Sequence, residues 1–117
     1  MTSLEKEASR RGIKPPGAVT LRRYGLTADE WLALLKAQGW KCGIRTCGKT
    51  GAAVRWNTDH DHVPMWAKLP AAERKKYVRG VLCPWCNHRR VNSRMRAVEA
   101  QAIADYLAAY EARRDHV

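Results

Sequence analysis

No run of apolar residues in this 117-residue sequence approaches the roughly 18 that a membrane-crossing helix needs, because charges interrupt every stretch. The opening residues, Met1 to Gly17, lack the apolar segment that directs secretion. Acidic residues are scarce: 11 Asp and Glu stand against 22 Lys and Arg, for a formal net charge of +11 and a pI of about 10.0. That imbalance points to a polyanionic partner. Repeats and low-complexity tracts are absent, and the length suits one modest core, so a single domain is expected. Together these absences predict a non-secreted protein of the cytoplasm with no membrane partner.

Cysteine is sparse too, but its placement is informative. A reducing compartment disfavours disulfides and favours metal thiolates. The cysteines fall into two pairs, Cys42 with Cys47 and Cys83 with Cys86, with four and two residues between partners. Both spacings suit zinc knuckles, in which a short loop turns two sulfurs toward one ion and two such loops close a tetrahedron. Unpaired reduced thiols are the plain alternative; two pairs at ligand spacing favour structural Zn2+.

Residues 1–25 mix charges with Pro15, Pro16 and Gly17 and read as a charged N-terminal arm or helix ending in a turn. Thr27 and Glu30 have capping-box spacing, with Leu26 and Trp31 able to staple across it, so a helix is predicted from here to Gly39. Trp31, Leu34, Leu35 and Gln38 mark its core-facing side. A strand is predicted over Val54–Thr58, a short helix over Ala71–Lys76, and a second strand over Val78–Leu82 that delivers Cys83. Pro84 suits a helix first turn, predicted to run to about Arg96. The Ala-rich segment Ala97–Arg114 spaces Val98, Ala102, Tyr106, Ala109 and Tyr110 for an amphipathic helix. The expected organisation is an arm at 1–25, a zinc-bound core at 26–96 and a C-terminal amphipathic helix at 97–117, in a small, mainly helical α+β fold. Trp40, Trp56, Trp66 and Trp85 are expected in core or knuckle packing, with base stacking the alternative.

The predicted first strand runs into Asp59-His60-Asp61-His62. Asp59 and Asn87 are hard oxygen donors of the kind that hold Mg2+ or Mn2+, and His60 has the ordinary pKa, about 6.5, of a base working near neutrality. Asn87 directly follows Cys86, so zinc ligation would carry it toward the Asp59-His60 corner. A regular strand places Asp59 and His60 on opposite faces; both can serve one site only where the strand ends or bulges. A charged turn or a second, non-catalytic metal knot is the alternative for this tetrad.

The ordered set Cys42, Cys47, Asp59-His60-Asp61-His62 and Val78-Arg79-Gly80-Val81-Leu82-Cys83-Pro84-Trp85-Cys86-Asn87 resembles the phage recombination endonuclease VII family, among the His-Me finger (HNH-like, ββα-metal) nucleases. The resemblance covers about residues 40–90. It implies a zinc-stabilised ββα-metal core with flanking helices, in which the four cysteines bind Zn2+. Asp59 and Asn87 would hold catalytic Mg2+ or Mn2+, His60 would be the general base, and His62 would contact the scissile phosphate. Two departures stand out. Four residues separate Cys42 from Cys47 where the family usually has two, and His88, Arg89 and Arg90 follow Asn87 where the prototype has an acidic residue, leaving His88 and Asn92 as the nearest substitutes.

From Lys68 to Arg96 there are nine Lys or Arg and one acidic residue, Glu73. Arg74, Lys75, Lys76, Arg79, Arg89, Arg90 and Arg94 are the candidate DNA contacts, against the alternative of a solvated basic face. The expected function is a metal-dependent DNA endonuclease that hydrolyses phosphodiesters, selective for branched DNA such as a Holliday junction, or nicking. The alternatives are a non-catalytic zinc-knuckle DNA-binding module and an HNH nicking nuclease that assists phage DNA packaging. The prototype is a dimer, which suggests a homodimer through the terminal helices; a phage protein would act in the host cytoplasm.

Overall fold

The computed structural model describes residues 1–91 and 94–115. Its helices are α1 (Ser3–Arg10), α2 (Ala18–Tyr24), α3 (Ala28–Ala37), α4 (Ala71–Arg74, continued by a 3-10 turn at Lys75–Tyr77) and α5 (Ala97–Asp115). Two strands, β1 (Asn57–His60) and β2 (Val78–Leu82), form one antiparallel pair. The molecule is a small α+β protein rich in helix.

Within residues 1–25, of the arm or helix expected there, the structure has helix: α1 and α2 flank the turn that holds Pro15, Pro16 and Gly17. The Thr2 hydroxyl oxygen caps α1 by accepting from the Glu5 backbone N–H (3.1 Å), and its O–H donates to Asp29 (2.6 Å), which ties α1 to the first turn of α3. The capping box of α3 is present: Glu30 N–H donates to Thr27 Oγ1 (3.1 Å) and Thr27 N–H to Glu30 Oε1 (2.9 Å). Ala8 and Ile13 then pack with Leu26, Trp31, Leu32, Leu35, Trp40 and Val81 in one buried cluster. A second cluster forms around Cys42, Leu82, Cys83 and Cys86. Val81 in the first and Leu82 in the second make β2 the wall between them.

β1 begins three residues later than the strand pattern suggests and contains Asp59 and His60 rather than ending before them. Val54 and Trp56 are turned onto the thiol cluster, which takes them out of the ladder, while Trp31 Nε1–H donates to Thr58 Oγ1 (2.9 Å) and pins β1 to α3. The register pairs Asn57 with Leu82, Thr58 with Val81, Asp59 with Gly80 and His60 with Val78. Arg79 is therefore an extra residue, and the bulge lies between Asp59 and His60, where a shared site requires it. The free edge of β2 is closed by a side chain: Gln38 Nε2–H donates to Val81 O (2.8 Å), and Val81 N–H donates to Gln38 Oε1 (3.0 Å). A Cβ on Gly80 would lie 2.7 Å from that oxygen, so glycine lets the amide dock.

The helix predicted from Pro84 to about Arg96 ends early. Val91 N–H reaches back to Cys86 O (2.9 Å), closing a π-helical turn over Cys86–Arg90, and Val91 turns in to pack on the thiol cluster. α5 matches its predicted span, but its large apolar residues Val98, Ile103, Tyr106, Leu107 and Tyr110 are all exposed. Trp40 is buried as expected, whereas Trp85 is 50% exposed and lies outside both clusters. Among the described residues no helix is long and apolar enough to cross a membrane.

Candidate active site and metal centre

The ligand atoms of Cys42, Cys47, Cys83 and Cys86 all lie within 4.8 Å of one another, and none is in a disulfide. A tetrahedral ion with Zn–S bonds near 2.3 Å requires sulfurs about 3.8 Å apart. Cys47 and Cys83 Sγ are 3.7 Å apart, at that spacing, and the set as a whole is close enough to surround one such ion. The backbone supports negative sulfur: Cys83 N–H donates to Cys42 Sγ and Cys86 N–H to Cys83 Sγ, each at 3.4 Å, and Arg90 donates to Cys86 Sγ at 3.7 Å. Burial opposes ionisation of Cys83, yet the N–H from Cys86 and neighbouring thiols bring its pKa down to about 7. Burial and the same neighbours push Cys86 up to about 12. One thiol in the set thus ionises readily before any metal arrives, and a bound Zn2+ would ionise the others.

The turn that presents Cys86 also presents Asn87. Asn87, Asp59, His60 and His62 line one open cleft of about 510 Å³, completed by Tyr24, Thr58, His88 and Val91. The four predicted polar residues therefore converge from β1, the loop after it and the π turn. Asn92, the other substitute for the missing acid, lies outside the described residues; His88 is in the cleft. Asp59 is buried and held by two nitrogens of one guanidinium: Arg79 Nε–H donates to Oδ2 (2.8 Å) and Nη2–H to Oδ1 (2.9 Å). Asp61 has its own partner, Arg96, at 2.8 Å.

The His60 imidazole is stacked between two rings, His62 at 4.2 Å and 12° and Trp66 at 4.0 Å and 22°. Burial, and the proximity of His62, hold its pKa below the ordinary imidazole value. Tyr24 tilts against both His60 and Trp66, with centroids 5.6 Å away in each case. Tyr24 is no candidate from sequence, and Trp66 is expected there in packing, with base stacking the alternative. Tyr24 lies in the predicted arm, and the available signal was the glycine after it: Gly25 ends α2 in the left-handed conformation (φ 70°), and a Cβ there would overlap the Ala71 carbonyl. Only glycine lets α2 stop against α4 and turn Tyr24 into the cleft.

The basic candidates have intramolecular work. Arg74 donates to the carbonyls of Leu69 and Arg22, each at 3.1 Å, which makes it a tie between α4 and α2. Lys75 pairs with Glu30, and Lys76 with Glu73 at 3.0 Å. Arg79 holds Asp59 and Arg90 reaches Cys86, while Arg89 lies over the exposed Trp85 ring at 5.1 Å.

A polar cleft on a bulged two-stranded ribbon lies beside four cysteines that could hold a metal ion. A family model for recombination endonuclease VII matches residues 17–109, and the chain belongs to that family. Two curated relatives are each called Gene 59 protein. The one from Mycobacterium phage D29 is 37% identical over 68 residues, 57% of this chain and 33% of that protein. The one from Mycobacterium phage L5 is 35% identical over 68 residues, 57% of this chain and 34% of that protein. The aligned part thus spans about a third of the length of these relatives. No solved structure matches.

Proposed function

We propose that this protein is a divalent-metal-dependent DNA endonuclease with a zinc-stabilised ββα-metal core, of the His-Me finger type, acting on branched DNA or as a nickase. The observation that carries the reading is the convergence of Asp59, His60, His62 and Asn87 on one cleft beside the thiolate centre. Membership of the endonuclease VII family supports the same reaction class.

The donor set fits a hard cation: Asp59 and Asn87 offer oxygen from two elements, and water would supply the remaining positions. Bound there, Mg2+ or Mn2+ would neutralise charge developing on the phosphate and the leaving 3′ oxygen. His60 removes a proton from water, whose oxygen attacks phosphorus in line as the bond to the 3′ oxygen breaks, leaving 5′-phosphate and 3′-hydroxyl ends. His62, exposed at the mouth, contacts the scissile phosphate. The family resemblance also suggests a homodimer, for which the exposed apolar residues of α5 offer a surface.

The deciding experiment incubates the protein with end-labelled linear duplex, single strand and four-way junction, with Mg2+ or Mn2+, and maps the cuts. One observation favours a second reading: the Arg79 guanidinium pairs with both oxygens of Asp59, the place a metal ion would take, as suits a non-catalytic zinc-knuckle DNA-binding module. Such a module would shift labelled DNA on a gel and leave it intact.

Two predictions belong here. Because the His60 pKa is held below about 6.5 in the fold, the imidazole stays neutral in mildly acidic solution, and the acid limb of the cleavage profile should fall below that pH. The linkage has the same sign. Between the folded and ordinary values the unfolded chain binds the extra proton, so this contribution to stability is complete above about pH 6.5 and is lost as pH falls. An acid limb centred at or above 6.5 would contradict the assignment. The second concerns salt. With so many basic side chains already paired, about four phosphate contacts are expected, for which affinity should fall on the order of 10²-fold between about 50 and 200 mM salt. A flat response in a binding titration would assign the basic cluster to solvent.

A further inference from the structure

The loop between β1 and α4 carries two unfavourable features at neighbouring residues. Met65 is not glycine yet has φ 63° and ψ 18°, and its side chain is exposed, so burial of that side chain does not hold it there. The next residue, Trp66, buries its indole N–H without a hydrogen-bond partner among the described residues. Such features persist where the surroundings over-determine them, and they gather at functional sites. Here the result is a single contact: the indole lies face to face on His60, 4.0 Å between centroids and 22° between planes.

The surroundings do over-determine this contact. Arg74 sits over the indole at 5.9 Å, and its guanidinium donates to the carbonyls of Leu69 on the same loop and Arg22 on α2. Tyr24, at the end of α2, closes the corner against both rings. The second face of His60 is covered by the exposed ring of His62. The contacts of the His60 ring among the described residues are those with Tyr24, His62 and Trp66. Its plane is set by ring stacking, and Trp66 is the member of the stack braced from two helices.

We propose that Trp66 is the positioning residue of the general base, its indole face holding the His60 imidazole in the plane that addresses the cleft. The inference rests on the reading of His60 as base. The strained loop and the tie from Arg74 then serve one purpose, which is to fix the indole against rotation.

The test uses the full zinc-loaded chain with Trp66→Phe, which keeps an aromatic face, and Trp66→Leu, which keeps apolar volume without one. Single-turnover cleavage with Mg2+, DNA affinity without added cation, melting temperature and the NMR shift of the His60 Hε1 proton are measured for each. Misplacement of a catalytic group by about 1 Å can cost roughly 10²-fold in rate. Trp66→Leu should therefore cleave on the order of 10²-fold more slowly, with affinity and melting near the parent's and the Hε1 resonance moved downfield by loss of the ring current. Trp66→Phe should recover most of the rate. Parent-like cleavage by Trp66→Leu, or a Trp66→Phe protein as slow as Trp66→Leu, overturns the proposal alone. An inert parent, or a fully active His60→Ala protein, removes the base assignment and the proposal with it.

Discussion

His60→Ala should lower the cleavage rate by roughly 10²- to 10⁴-fold while leaving zinc content, fold and DNA affinity near the parent's. The expectation follows from where the ring sits. His60 is the last residue of β1, beyond the bulge, and its imidazole reaches the cleft that Asp59 and Asn87 also line. It belongs to neither buried cluster, so its removal takes away a reacting group rather than core. The alanine leaves Trp66 and His62 facing a gap, and any loss of stability should be modest beside the loss of rate. Thermal melting and zinc analysis on the same preparation separate the two effects. Near-normal cleavage by a folded His60→Ala protein would end the assignment and would turn attention to His62 and His88, the other imidazoles of the cleft.

The parts of this molecule that sequence makes legible are those written in local spacing. The capping box at Thr27 and Glu30 marks the start of α3, the two cysteine pairs mark the metal centre, and the Val78–Leu82 run matches β2 residue for residue. The demand that Asp59 and His60 be separated by an irregularity is also a local argument, and the register shift lies there. What escaped is long-range. β1 starts late because Val54 and Trp56 are drawn onto sulfurs contributed partly by residues some thirty positions on, near Cys83 and Cys86, which no strand periodicity encodes. The helix after Pro84 was over-extended because its propensity ignores the packing of Val91.

The cleft shows the same division. Asp59, His60, His62 and Asn87 were readable as chemistry because their side chains are unusual in such close order. Tyr24 and Trp66 were not, because an isolated aromatic in a helix or a loop is ordinarily core. Their place depends on α2 docking on α4 through Gly25 and on the reach of Arg74 across both. The pairing of Arg79 with Asp59 was hidden for another reason. On a regular ladder residue 79 would oppose a β1 residue, but the bulge leaves it without a ladder partner, and its side chain reaches across to Asp59 on β1. A residue nominated for phosphate contact is thereby found holding a candidate metal ligand.

Loss of the zinc centre should have the largest effect on the molecule as a whole. Structural zinc contributes apparent folding free energies of about 10–16 kcal/mol in small domains, comparable with the entire stability of a domain of this size. The cluster around Cys42, Leu82, Cys83 and Cys86 is small and has few aliphatic side chains of its own, so a bound metal would supply what apolar burial does not. Cys83→Ser or Cys86→Ser should therefore abolish the cooperative melting transition or make the protein insoluble, and added Mg2+ should restore neither fold nor cleavage. Four thiolates would leave zinc no open position for water, so its part would be confined to structure: it would join the end of β2 to the π turn and so place Asn87. A catalytic cation held by Asp59 and Asn87, with only two protein ligands, would be bound far more weakly. Brief EDTA treatment should stop cleavage with zinc content and melting unchanged, and added Mg2+ or Mn2+ should restore the rate. Metal analysis, circular dichroism and cleavage on one sample distinguish the two sites. A Cys86→Ser protein that melted like the parent and cleaved at the parent rate would show that zinc is dispensable, and the placement of Asn87 would lose its physical basis.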